Sequence, residues 1–278
     1  MGFLRVLSFA VGLALLLPSR LFGALPASGR IELEGAYPGH LQDVWYDGKE
    51  TLYWAHTQFL VKTDLSGRIL KKVEVGGHHA GLEVRDGRLY TAVCAFNGEP
   101  RGRTTPACHV MIGEYDAETL ERIEMHVLDI NDRAGSLAIL EDGSFVVGCL
   151  RPDDISSSQV RFHHIGKDYR LIRTHVLDNL PVMLGIEIIK RRGKDLYLCF
   201  YGTDKDRHPL GYDTIRLDEN FKETWRGKMH GSCGLVFDGD DVWIGGTGKD
   251  PDTKLCRSRL VRAGGLTAKL KDCLSKGK

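Results

Sequence analysis

Short apolar runs separated by glycine-centred turns recur along the chain. HLQDVWYDGKETLYWAH starts at residue 40, GHHAGLEVRDGRLYTAV at 77, RAGSLAILEDGSFVVGC at 133, LGIEIIKRRGKDLYLCF at 184 and GSCGLVFDGDDVWIGG at 231. Each reads as a strand, a tight turn and a second strand rich in Val, Tyr, Trp and Leu, which predicts five β-hairpins. More polar pairs of strands follow the first four: FLVKTDLSGRILKKVEV, VMIGEYDAETLERIEMHVL, VRFHHIGKDYRLIRTHVL and YDTIRLDENFKETWRG. Two inner strands and two outer ones make a propeller blade, with charge on the outer edge discouraging sheet-to-sheet pairing.

The hairpin starts fall near residues 40, 79, 134, 184 and 231, a spacing suited to blades of about 40–50 residues. The expected fold is therefore an all-β five-bladed β-propeller over residues 29–278, with a six-bladed ring as the alternative. Either RIELEGA at 30–36 or CRSRLVRAGGLTAKL at 256–270 supplies the strands that close the circle; the sequence leaves both open.

Residues 1–28 carry one early charge at Arg5, an apolar run from Val6 to Leu17, then Pro18 and small residues. This pattern predicts a secretory signal peptide, hence a secreted or periplasmic protein free of the membrane after cleavage. The formal net charge is +1 without a basic block, which argues against nucleic acid as a partner. A monomer is expected. Of the seven cysteines, Cys94 with Cys108 and Cys256 with Cys273 are candidate disulfides; Cys149, Cys199 and Cys233 sit in or beside apolar strands, as buried free thiols do.

In a propeller the starts of the innermost strands and the loops after the second strands share one face around the channel. That rule places His40 and Gln42, His78 and His79, Asn131, Asp132 and Arg133, Glu187 and His230 at the channel mouth. Alternation turns His40 and Gln42 the same way and lets only one of His78 and His79 join them; His79 fits the register better. His40, Gln42, His79 and His230 then form a donor set for one divalent metal ion. Loops add Asn97, Arg151, Tyr201 and His208 as substrate contacts, with Asp153, Asp154, Asp204, Asp206, Asp250 and Asp252 as further carboxylates. Glu187 stands apart, because a carboxylate inside LGIEII needs a partner or a raised pKa.

These residues suit a carbohydrate or similarly polar substrate, in a lyase or hydrolase reaction. His40, His79, Glu187 and Arg133 are the catalytic candidates, with Arg133 or a metal neutralising a substrate carboxylate and a histidine or Glu187 moving the proton. A non-catalytic propeller that binds a glycan or protein on the same face is the alternative.

YDGKETLYW, VKTDLSGRILKKV, RDGRLYTAV and YDAETLERI resemble the blades of exported bacterial five-bladed propellers over most of residues 30–270. Among these the chain is similar to the plant and bacterial type of glutaminyl cyclase, whose first hairpin starts Thr-Gln-Gly-Leu-Glu; HLQDVW keeps Gln42. That family's second hairpin carries a catalytic Glu before Gly-Leu, where this chain has Ala80 before Gly81 and Leu82. The resemblance thus implies an aminoacyl-cyclase alternative from which the catalytic acid is missing. The histidine-rich funnel also resembles, in site type, propeller polysaccharide lyases that hold a metal with His and Gln.

Overall fold

The computed structural model describes residues 24–95, 109–150, 159–178, 182–203, 209–229 and 233–274. β1 (Arg30–Glu32) precedes blade one, which contains β2 (Leu41–Tyr46), β3 (Leu52–His56), β4 (Phe59–Thr63) and β5 (Ile69–Glu74). Blade two is β6 (His78–Arg85), β7 (Arg88–Ala95), β8 (Met111–Asp116) and β9 (Arg122–Val127). Blade three is β10 (Arg133–Ile139), β11 (Phe145–Leu150), β12 (Val160–Ile165) and β13 (Leu171–Leu177). Blade four is β14 (Val182–Arg192), β15 (Asp195–Thr203), β16 (Pro209–Leu217) and β17 (Glu223–Gly227). β18 (Leu235–Asp238), β19 (Asp241–Lys249) and β20 (Cys256–Gly265) form blade five, and α1 (Leu266–Leu274) follows.

All these ladders are antiparallel, and the ring is a five-bladed propeller; the six-bladed alternative is excluded. β1 pairs with β20 through Arg30 with Val261 and Glu32 with Arg259, so the N-terminal segment supplies the outermost strand of the last blade. Chain beyond β20 turns helical instead of adding a fourth strand. No helix among the described residues is long and apolar enough to cross a membrane.

The five inner hairpins turn where the sequence places glycine. Gly48, Gly87, Gly143, Gly193 and Gly239 all have positive φ, a backbone region that side-chain-bearing residues rarely adopt. The outer turn of blade one also has a glycine at positive φ, Gly67, but three outer turns differ. Leu120, Tyr169 and Phe221 adopt φ near 60° despite their size. Each packs into the groove against the preceding blade: Leu120 with Leu60, Tyr169 with His126, and Phe221 with Phe162. Burial of these side chains offsets the cost of the left-handed backbone.

Five apolar clusters fill the five gaps between blades, as a closed ring requires. The closing gap holds Ile31, Leu41, Trp54, Val236, Trp243 and Leu260, drawn from both ends of the ring. The four tryptophans serve this architecture, with Trp54, Trp225 and Trp243 buried in it. Cys149, Cys199 and Cys256 are buried free thiols, and Cys233 is half-buried. The expected bridge from Cys256 is therefore not formed; Cys108 and the side chains of Cys94 and Cys273 lie outside the described residues.

Candidate functional site

The innermost strands do not run as regular ladders. In β2 the partners jump from Leu41 with His56 to Asp43 with Ala55, leaving Gln42 as an extra residue. Corresponding irregularities fall at Ala80 and Gly81 in β6, at Gly135 in β10 and at Glu187 in β14. A bulge re-aims the residue it inserts, and four blades carry one at the same height. Gln42, Ala80, Gly135 and Glu187 thus occupy equivalent positions around the upper channel. Two of the four are small, and one is acidic.

Glu187 lies between Ile186 and Ile188, both fully buried, while its own side chain is half-buried. Its carboxylate makes no hydrogen bond or ion pair with the described residues. Burial among protein atoms pushes its pKa up to about 7, so near neutrality it is poised to give or take a proton.

Below it the channel is pinned by charge. Lys190 Nζ donates to Asp43 Oδ2 at 2.7 Å and to the Leu82 carbonyl at 2.7 Å. Asp43 Oδ2 also accepts from Leu82 N at 2.8 Å, and Oδ1 from Val44 N at 2.8 Å. Burial raises the Asp43 pKa, and the Lys190 ammonium opposes that rise. Further down, Glu83 accepts from Trp45 Nε1 at 3.1 Å, and burial pushes its pKa up to about 7.

At the mouth, His40 and Gln42 meet as alternation predicts. Gln42 Nε2 lies 2.9 Å from His40 Nε2 and 3.4 Å from Thr57 Oγ1. His79 does not join them. It is fully buried in the groove between blades one and two, its Nε2 bonded to Tyr115 Oη at 2.6 Å, and desolvation lowers its pKa to about 3. Because Ala80 is the equivalent of Gln42, His78 aligns with His40 and His79 with the buried Leu41, one residue away from the expected register. His79 is therefore a core residue, neither a channel ligand nor an acid–base group there.

Arg133 is half-buried at the start of β10, and its buried Nε finds no partner among the described residues. Asp250 caps its own turn, accepting from Asp252 N and Thr253 N at 3.0 and 2.9 Å. Asn97, Arg151, Asp153, Asp154, Asp204, Asp206, His208 and His230 lie outside the described residues, as does the side chain of Tyr201.

Three polar groups went unanticipated: Asp43, Lys190, and a cluster of Asp132, Cys149 and His163 in blade three. The cluster is the one group of three His, Cys, Asp or Glu side chains among the described residues whose ligand atoms lie close enough to hold a metal. Lys190 ending the apolar EIIK was the available signal, since a buried lysine requires a carboxylate partner.

No family model matches the sequence, and no curated protein matches it. Solved structures do share its shape. An exo-β-1,3-galactanase from Phanerochaete chrysosporium, solved with β-1,3-galactotriose, superposes with a TM-score of 0.58 at 8% identity, covering 86% of this chain and 66% of that one. A xylan β-1,4-xylosidase from Bacillus halodurans gives 0.57 at 12% identity, covering 87% of this chain and 57% of that one. A GH43_1 enzyme from Xanthomonas citri gives 0.54 at 9%, covering 85% and 91%. The chain thus spans a little under two thirds of the galactanase and less than three fifths of the xylosidase. At such identities the likeness is one of fold: this chain is similar to five-bladed propellers that include glycoside hydrolases.

Proposed function

We propose that the chain is an exported propeller that hydrolyses a glycosidic bond at the mouth of its central channel, with Glu187 as the proton donor. The observation that carries this reading is the Glu187 carboxyl itself. It is held on a bulge of the innermost strand, makes no hydrogen bond or ion pair with the described residues, and burial raises its pKa to about 7, so that it is partly protonated at neutral pH. A protonated carboxyl in a water-restricted channel can donate to a departing glycosidic oxygen. Small residues, Ala80 and Gly135, stand at the equivalent positions of blades two and three. His40, Gln42 and Arg133 at the mouth supply polar contacts to hydroxyls or a uronate. The galactanase and xylosidase neighbours support a glycan substrate by analogy of fold.

A second reading, glycan binding without turnover, is favoured by one observation. Glycoside hydrolysis uses two carboxyls, and Asp43, a channel acid among the described residues, is committed to Lys190.

The test is reducing-sugar release from β-1,3-galactan, xylan and uronate-containing oligosaccharides by the wild type and Glu187→Gln. Hydrolysis of one of these, with kcat/KM reduced at least 100-fold in Glu187→Gln, supports the hydrolase. Calorimetric binding of an oligosaccharide without its cleavage supports the binding reading. Neither cleavage nor binding across the panel rejects both.

A further inference from the structure

Blade three holds a second group of chemically active side chains that the channel chemistry does not use. Asp132 immediately precedes β10, Cys149 lies near the end of β11, and His163 lies in β12, all buried. Cys149 pairs with Ala134 across the inner ladder, and His163 pairs with Val147 on the next, so the three converge at the end of the blade where β10 begins. One carboxylate oxygen, one sulfur and one ring nitrogen lie within 4.8 Å of one another.

The spacing fits a long hydrogen bond and a ligand pair alike. Asp132 Oδ2 is 3.3 Å from His163 Nε2, longer than the roughly 2.7–2.9 Å of a charge-assisted bond. Two ligand atoms on a tetrahedral ion with bonds of about 2.0 Å are separated by about 3.3 Å. Outer contacts of the kind that orient metal ligands are also present. His163 Nδ1 is 2.9 Å from Thr174 Oγ1, and Asp132 Oδ1 accepts from Arg133 N at 2.9 Å. The cation now beside Asp132 is Arg161, whose Nη2 lies 3.2 Å from Oδ2 and whose side chain is 49% exposed, free to move into solvent.

We propose that Asp132, Cys149 and His163 bind one divalent transition ion of the zinc class, with a fourth coordination position open to water or a small ligand. Sulfur, nitrogen and oxygen donors in a set of three suit such an ion and not calcium or magnesium, which take six or more oxygens. On binding, the Cys149 thiol gives its proton to solvent, its sulfur bonds the ion as thiolate, and Arg161 leaves the carboxylate. The site is independent of Glu187, so it stands or falls apart from the glycosidase reading.

The probe is cobalt(II) added to the purified full chain under reducing conditions. One equivalent should give a near-ultraviolet thiolate-to-cobalt charge-transfer band together with visible bands of a tetrahedral ion. Cys149→Ser should abolish the charge-transfer band, and His163→Ala should weaken cobalt affinity at least tenfold. Arg161→Gln, at a half-exposed position, should tighten it by removing the competing cation. Circular dichroism checks that each variant is folded. A folded wild type without a thiolate band at saturating cobalt, or a band that survives Cys149→Ser, overturns the proposal.

Discussion

Lys190 of blade four and Asp43 of blade one form an ion pair, Nζ to Oδ2 2.7 Å, between blades that are not neighbours in the ring. The contact must therefore cross the channel. Its second arm, from Lys190 Nζ to the Leu82 carbonyl, ties in blade two. Side chains are 6% and 0% exposed, so removing one partner strands the other in a desolvated site. Lys190→Met should cost about 3–5 kcal/mol in urea unfolding. Asp43→Asn combined with Lys190→Met should recover part of that loss, since no charge is then left unpaired. A double variant as unstable as the sum of the singles would show that the pair does not act as a unit.

Glu187 should make stability fall as pH rises. Its folded-state pKa of about 7 stands above the 4.5 of an ordinary glutamate, so the native state holds a proton that the unfolded chain has released. Stability is highest below about pH 4.5 and declines until about pH 7. Glu187→Gln removes that decline, and at about 1.4 kcal/mol per unit it should gain about 3 kcal/mol over the wild type at pH 8 relative to pH 4. Parallel unfolding curves at the two pH values check this; an equal difference at both would mean that Glu187 titrates like an exposed acid. In the hydrolase reading, kcat/KM should fall as pH rises through about 7.

Blade number was legible because local chemistry repeats: all five inner turns have a glycine at positive φ, and each lies between alternating strands. Glu187 was legible for a similar reason, as a lone charge within an apolar run. The closing strand was not, because three residues at Arg30–Glu32 carry too little pattern to distinguish them from the longer run at Cys256–Gly265. The place of His79 was not legible, because the register between blades one and two is fixed by the bulges at Gln42 and Ala80, which align His79 with Leu41 and not with His40. Asp43 and Lys190 are 147 residues apart, on blades that do not touch side by side, so neither sequence neighbourhood reveals the other.

Gly81 should tolerate no side chain. A Cβ built there would lie 2.3 Å from Leu137 N and 2.6 Å from Ser136 Cα, both backbone atoms of the neighbouring inner strand. Backbone in a closed ring has nowhere to retreat. Gly81→Ala should therefore destabilise by about 3 kcal/mol, at the upper end of the overpacking range, whereas Gly87→Ala, with open space around its Cβ, should cost only its positive-φ strain of about 1 kcal/mol. Thermal melts of the two variants side by side give the comparison, and similar losses would contradict the close approach of blades two and three.

Acid should unfold the protein partly through two histidines. His56 is fully buried, stacked on Tyr37 with ring centroids 4.3 Å apart, and neither ring nitrogen finds a partner among the described residues. His79 is buried against Tyr115. Desolvation lowers both pKa values to about 3, against 6.5 for an ordinary histidine. The unfolded chain therefore takes up protons that the native state refuses: the stability of each neutral ring is fully present above about pH 6.5 and is lost as pH falls toward 3. Each contributes a slope of about 1.4 kcal/mol per pH unit in that window. His56→Phe keeps the stack on Tyr37 and removes one titrating group, so it should gain about 2 kcal/mol relative to the wild type between pH 7.5 and pH 5. Urea unfolding at those two values tests it directly. A stability difference that does not change with pH would mean that His56 accepts its proton within the folded protein.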